Sequence, residues 1–153
     1  MKAILDFADH FGAKLSLNSE FIIQQGQCFF LLNSRLRKML HKDFFYAGLY
    51  LGKIKDDVFF PSFGLLKMIA DIAENKVVLD RKGAWLFICG RDVFKKSIIR
   101  VCGDSQLGNL TLVVNEFGEC LGFGQIIENL ANCGAVVVVK NLVDVGDFLR
   151  RER

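Results

Sequence analysis

Leu110-Thr111-Leu112-Val113-Val114-Asn115-Glu116-Phe117-Gly118-Glu119-Cys120-Leu121-Gly122-Phe123-Gly124-Gln125-Ile126-Ile127 holds two apolar runs joined by a glycine-bearing turn. A loop that cradles phosphate sets its glycines between a strand and the N-terminus of a helix. Here the glycines run on into the strand-like Gln125-Ile126-Ile127. Gly118 therefore turns a hairpin, and Gly122 and Gly124 let a strand bend or another backbone come close.

The same rhythm extends outward. From Lys76 on, Val77 to Leu79, Ala84 to Cys89, Ile98 to Cys102, Leu110 to Val114, Cys120 to Ile127 and Val136 to Val139 are separated by Lys82-Gly83, Gly90, Gly103-Asp104, Gly118 and Gly134. Short apolar runs with turn signals at such intervals predict a small mixed β-barrel or sandwich. Only Arg91 to Ser97 and Asp144 to Arg151 are expected to be helical there. In the second of these, Asp144 is the N-cap and Val145, Phe148 and Leu149 form the apolar side.

Upstream the periodicity differs. Ala3, Ile4, Phe7, Ala8 and Phe11 recur at helical spacing before Gly12, the pattern of a short amphipathic helix with a glycine stop. Phe21 to Gln24 and Gln27 to Leu32 suggest two strands around a turn at Gln25-Gly26, and Asn33-Ser34 opens a basic helix through Leu40. Phe44 to Leu51 returns to strand composition, interrupted by Gly48 and Gly52. Pro61-Ser62 opens the clearest helix, with Leu65, Leu66, Ile69, Ile72 and Ala73 as its stripe and Asn75 as its end. The expected fold is α+β: an N-terminal α/β domain over 1–75 and a small mixed barrel over 76–153, jointed at Glu74 to Lys76.

The 153 residues suffice for one domain or two small ones sharing a core. With 52% hydrophobic residues, one Pro and 15 Phe, the chain has the composition of a globular protein. Its longest apolar run, Ala84 to Cys89, is far short of the roughly 20 residues that span a bilayer. The first ten residues carry Asp6 and Asp9 and lack a small-residue cleavage site, which argues against a secretory signal and for a cytoplasmic protein.

The five cysteines, at 28, 89, 102, 120 and 133, are odd in number, widely spaced and without a C-x-x-C. They are expected to be reduced thiols rather than a disulfide framework or metal site. His10 and His41 have no partner at ligand spacing, and Asp56-Asp57 sits in an apparent turn. No catalytic residue, metal or cofactor is therefore assigned, since Ser97 and Cys89 lack a nearby base in sequence.

Charge is the remaining signal. The net charge of +3 is mild, with 9 basic against 8 acidic residues through Asn75 and 11 against 9 after it. Local clusters stand out instead: Arg35-Leu36-Arg37-Lys38; Arg91, Lys95, Lys96 and Arg100 against Asp92; and Arg150-Arg151 with Arg153. Cations on a rigid turn over a barrel can meet successive phosphates, although composition alone would equally fit a solvated face.

Ala84-Trp85-Leu86-Phe87-Ile88-Cys89-Gly90-Arg91-Asp92-Val93-Phe94-Lys95-Lys96-Ser97-Ile98, Leu121-Gly122-Phe123-Gly124 and Asp144-Val145-Gly146-Asp147-Phe148-Leu149-Arg150-Arg151 together resemble a PUA domain, the RNA-binding module named after pseudouridine synthases and archaeosine transglycosylases. With Tyr46-Ala47-Gly48-Leu49-Tyr50-Leu51-Gly52-Lys53 and Phe60-Pro61-Ser62-Phe63 upstream, the chain from about Phe44 onward is similar to the Nip-seven family of ribosome-biogenesis factors in its short archaeal form. The resemblance implies a PUA-type barrel after an α/β domain, RNA bound on a basic surface, and a part in pre-rRNA processing and large-subunit assembly without catalysis.

The RNA-binding residues expected on this basis are Arg91, Lys95, Lys96, Arg100, Lys140, Arg150 and Arg151, with the final segment returning so that the two basic stretches converge. Expected partners are ribosomal RNA precursors, including U- or A-rich single strands, and assembly or RNA-processing proteins held by the N-terminal domain, with no membrane. The alternatives are an RNA-targeting accessory subunit of a modification enzyme and a pure protein adaptor built on the Phe-rich N-terminal half.

Overall fold

The computed structural model describes residues 1–40, 44, 46–131 and 137–151, with only the backbone of Arg151. His41, Phe45, Cys133, Gly134, Val136 and Arg153, all named from the sequence, lie outside the described residues.

Helix α1 (Lys2–Asp9) buries Ile4 and Ala8, and Gly12 follows at φ +65°. A four-stranded antiparallel meander comes next: β1 (Ile22–Gln25), β2 (Cys28–Leu31), β3 (Leu49–Lys55) and β4 (Val58–Pro61). Gln25 pairs with Cys28, so the first turn is Gly26-Gln27, one residue beyond the expected turn at Gln25-Gly26. Helix α2 (Ser34–Met39) is capped by Asn33, whose side-chain oxygen accepts the Leu36 N–H at 2.9 Å.

Strand β3 starts later than expected and runs through Gly52. That glycine sits at φ +142° with the Phe60 carbonyl 2.4 Å from where a Cβ would lie, so the strand needs the glycine rather than breaking at it. The sequence pattern did not announce β4. Asp56 and Asp57 form its turn at φ 51° and 60°, and Pro61 ends an edge strand, where its missing N–H removes no ladder bond.

Helix α3 (Phe63–Ile72) starts at Ser62, whose hydroxyl accepts the Leu65 N–H at 3.1 Å and donates to the Tyr50 carbonyl at 2.6 Å. Leu65, Leu66 and Ile69 are fully buried, whereas Ile72, expected on the same stripe, is 47% exposed at the helix end.

The second sheet has the order β6-β10-β9-β8-β5-β7, from β5 (Lys76–Leu79), β6 (Val93–Phe94), β7 (Ile98–Cys102), β8 (Leu110–Asn115), β9 (Cys120–Ile126) and β10 (Val137–Asp144). Among the described residues only β5 and β8 pair in parallel. The two edge strands, β6 and β7, are joined by a single 3-10 turn, Lys95–Ser97. Three residues span at most roughly 10 Å, so the sheet must curl until its edges meet, which makes it a PUA-type barrel.

Three expectations fail here. Ala84 to Cys89, grouped with the strand-like runs, lies almost wholly in helix α4 (Arg81–Ile88), capped by the Asp80 carboxylate accepting the Gly83 N–H at 2.6 Å. Burying Gly83 and Phe87 while leaving Trp85 64% exposed is helical spacing, which a six-residue apolar run cannot announce by itself. Gly83, expected in a turn, is inside this helix, and the position must be glycine because Ser97 Cβ would lie 2.5 Å from an added Cβ. Conversely, Arg91 to Ser97, expected as a helix, is strand β6 and the 3-10 turn, because β10 offers Val93 and Phe94 a pairing edge.

Gly118 does turn the β8–β9 hairpin, and Gly122 and Gly124 face the Val143 and Lys140 carbonyls, 2.0 and 2.4 Å from their absent Cβ atoms. The last helix, α5 (Val145–Arg151), begins as expected, with Asp144 accepting the Asp147 N–H at 2.8 Å.

One core fills the barrel with Val77, Leu79, Phe87, Val113, Ile126 and Val139. The other joins α1, the meander and α3 to Leu112, Cys120 and Phe123 of the barrel's outer face. Strand β8 serves both, Leu112 pointing to one and Val113 to the other, which explains its uninterrupted apolar sequence.

Candidate nucleic-acid interface

The 3-10 turn that closes the barrel carries two of the expected cations. Lys96 is exposed, with its Nζ 6.0 Å from the centroid of the Phe94 ring. Lys95 is half-buried and donates to the Leu130 carbonyl. The turn is anchored by the Asp80 N–H, which donates to the Ser97 carbonyl at 2.9 Å. Lys96 is thus offered to solvent by a fixed backbone, while Lys95 uses one of its three N–H donors to tie the turn to the loop after β9. Arg100 is exposed on β7, opposite Val78.

Arg91 belongs to a different grouping. It follows α4, donates its N–H to the Leu86 carbonyl at 3.0 Å, and leaves its side chain exposed. Asn141 of β10 binds this segment: its amide nitrogen donates to the Phe87 carbonyl at 2.9 Å, the Arg91 carbonyl at 3.4 Å and Asp144 Oδ2 at 3.4 Å. Its backbone N–H donates to Asp92 Oδ1 at 2.8 Å. Asp144 in turn meets Arg150 Nη2 at 3.5 Å, with side-chain exposures of 5% and 56% for the acid and the base.

Helix α5 therefore returns beside α4, where Gly146 approaches the Ile88 carbonyl and Gly90 approaches the Arg150 guanidinium. The Arg91 backbone and the Arg150 guanidinium are linked through Asn141 and Asp144. Lys140 is exposed on β10, opposite Gln125, next to this network. The side chain of Arg151 lies outside the described residues.

The final segment was expected to return so that the two basic stretches converge; α5 does set Arg150 beside the segment of Arg91, while Lys95, Lys96 and Arg100 sit on the closing turn and β7. Asn141 could not be singled out from the sequence, because a lone amide in an apolar strand carries no signal until its four partners are in place. Among the described residues no group of three or more His, Cys, Asp or Glu could hold a metal ion, and no helix is long and apolar enough to cross a membrane.

The family described as the UPF0113 PUA domain matches residues 75–153. A UPF0113 protein of Archaeoglobus fulgidus is 32% identical over 114 residues, 71% of this chain and 63% of that protein, so the match spans less than two thirds of that relative. Among solved structures, a conserved PUA domain protein from Thermoplasma acidophilum superposes with a TM-score of 0.65 at 17% identity, covering 99% of this chain and 92% of the other. A hypothetical protein from Pyrococcus horikoshii gives 0.55 at 16% identity, covering 86% and 77%. A PUA domain from Aeropyrum pernix gives 0.53 at 17% identity, covering 61% and 56%. At these identities the structural likeness is one of fold.

Proposed function

Because this chain belongs to the UPF0113 PUA domain family, we propose that it is a non-enzymatic RNA-binding protein that holds its ligand by the phosphates. The observation that carries this reading is the set of exposed cations: Lys96, Arg100, Lys140 and Arg150, mounted on a strand, a closed turn or a capped helix, and Arg91, in the connection after α4 that its own N–H ties to the Leu86 carbonyl. Cations fixed in this way meet phosphates without the entropy cost of ordering a loop. Lys95 and Arg151 complete the set, the first through its remaining hydrogen-bonding capacity.

The resemblance to the Nip-seven family supports a finer role in pre-rRNA processing and large-subunit assembly in an archaeal cytoplasm. There, residues 76–153 hold RNA and residues 1–75 meet other assembly proteins. The test is titration of a fluorescent U- or A-rich single strand at low and moderate salt with wild type, Arg91→Ala, Lys96→Ala and Arg150→Ala. Each variant is expected to bind all sequences more weakly and to flatten the slope of log affinity against log salt by roughly 0.7 for each phosphate it no longer neutralises. No binding by the wild type, or equal slopes throughout, would overturn the reading.

A further inference from the structure

The chain's positive charge is not concentrated on the barrel. Residues 33–55 hold Arg35, Arg37, Lys38, Lys42, Lys53 and Lys55 against Asp43 alone, and the other 130 residues hold 14 basic against 16 acidic. Residues 33–55 thus carry more net positive charge than all of residues 76–153, which hold 11 basic against 9 acidic, and they fall on α2, β3 and the sequence between them.

Strand register decides what accompanies that charge. Ile54 and Phe59 are paired and pack into the core. Alternation therefore puts the neighbouring pair, Lys53 and Phe60, on the outer face of the meander. The pair Phe30 and Tyr50 lies on that face too, where Phe30 meets Phe44, Tyr46 and Tyr50 with ring centroids 5.7, 5.4 and 5.6 Å away. Phe30 is buried beneath these rings, but Tyr46 is 61% and Phe60 37% exposed.

A groove of about 360 Å³ runs between them, lined by Tyr46, Tyr50, Lys53 and Phe60 on one side and by Phe63 and Phe148 on the other. That volume falls in the range of roughly 300–1,000 Å³ that accepts small-molecule-sized groups. Phe148 belongs to α5, the helix that carries Arg150. On the opposite flank, Arg37 lines a second cavity with Ile23, Gln25 and Phe44.

We propose that the outer face of the N-terminal meander is a second contact site for single-stranded RNA, in which bases stack on Tyr46 and Phe60 and phosphates meet Lys53 and Arg37. The ligand class rests on the RNA-binding reading; the residues do not. Exposed rings interleaved with cations are what sequence-tolerant single-strand binding requires, because every base has a π-face and every nucleotide a phosphate. The groove's continuity with α5 lets one strand touch both this face and the barrel.

The experiment uses the full chain and a U-rich 12-nucleotide RNA at two salt concentrations, with ultraviolet crosslinking to locate contacts. Combining Tyr46→Ala with Phe60→Ala should weaken binding roughly tenfold or more, whereas Tyr46→Phe should bind like wild type because the ring remains. Lys53→Ala should reduce the salt slope by the share of roughly one phosphate, and it keeps the test standing if the ring variant folds poorly. Crosslinked peptides should include residues 44–60.

Wild-type binding with unchanged affinity in both the ring variant and Lys53→Ala would overturn this site and leave the barrel reading intact. Weakening in these variants but not in Arg91→Ala or Lys96→Ala would support the site and remove the barrel cations. An equal loss of affinity for inorganic polyphosphate, which has no bases, would overturn stacking. Binding of an acidic peptide here with RNA affinity unmoved would assign the face to a protein instead.

Discussion

Cys120 opens β9 and turns its thiol into the core shared by the two halves, where burial pushes its pKa up from 9.0 to about 11. The folded state therefore holds this proton more tightly than the unfolded chain does. The associated stability is fully present below about pH 9 and is lost as pH rises through 11. A rise from 9.0 to about 11 corresponds to about 3 kcal/mol. Tyr50 is shifted the same way, to about 12, by partial burial and by Cys28, but its exposure to water makes its share smaller. Urea midpoints measured at pH 8 and pH 10.5 should fall more steeply for wild type than for Cys120→Ala. Parallel declines would show that the thiol ionises without consequence for the fold.

Among the elements, α3 is the one on which both halves depend. Leu66 and Ile69 are fully buried in a core that also contains Leu112 and Phe123. Leu66→Ala or Ile69→Ala should each cost about 2–5 kcal/mol, the usual loss for such a truncation, with the spread set by how far the site can collapse. Chemical denaturation checks this, and an unchanged midpoint would contradict the packing. The apolar stripe of α3 was legible from spacing alone. Helix α4 was not: its run of six apolar residues fits either period, and the choice is made by Asp80 capping its start and by Ser97 packing on Gly83. β6 is similar, a two-residue strand that exists because β10 lies beside it.

Taken whole, the molecule divides by sequence near residue 75 but not by core. Phe7 and Phe11 of the first segment stack edge-on against Phe123 of the barrel, with centroids 5.5 and 5.8 Å apart. Separating the halves would expose those rings together with Leu112 and the α3 stripe. The chain should therefore unfold in one cooperative step, in which Trp85 fluorescence, reporting from the barrel, and far-UV circular dichroism follow the same curve. Two resolved transitions would show that the shared core is not what holds the halves together.

Local chemistry was enough to announce apolar runs for β5, β7, β8 and β9, the Gly118 hairpin, the Asn33 and Asp144 caps, the helix start at Pro61-Ser62 and the mixed α+β class, because each depends on residues within a few positions of one another. The cations of the candidate interface could also be named from the chain. What sets their places could not. The Arg91 backbone is linked to Arg150 through Asn141 and Asp144, some fifty residues from Arg91, and Lys95 loses part of its freedom to a carbonyl at Leu130. The aromatic face of the meander likewise depends on which of two alternating sides β3 and β4 turn to the core, and that is fixed by Ile54 and Phe59 finding apolar partners. Pairing, register and the closing of the barrel are long-range events, decided by contacts between distant residues that no local pattern encodes.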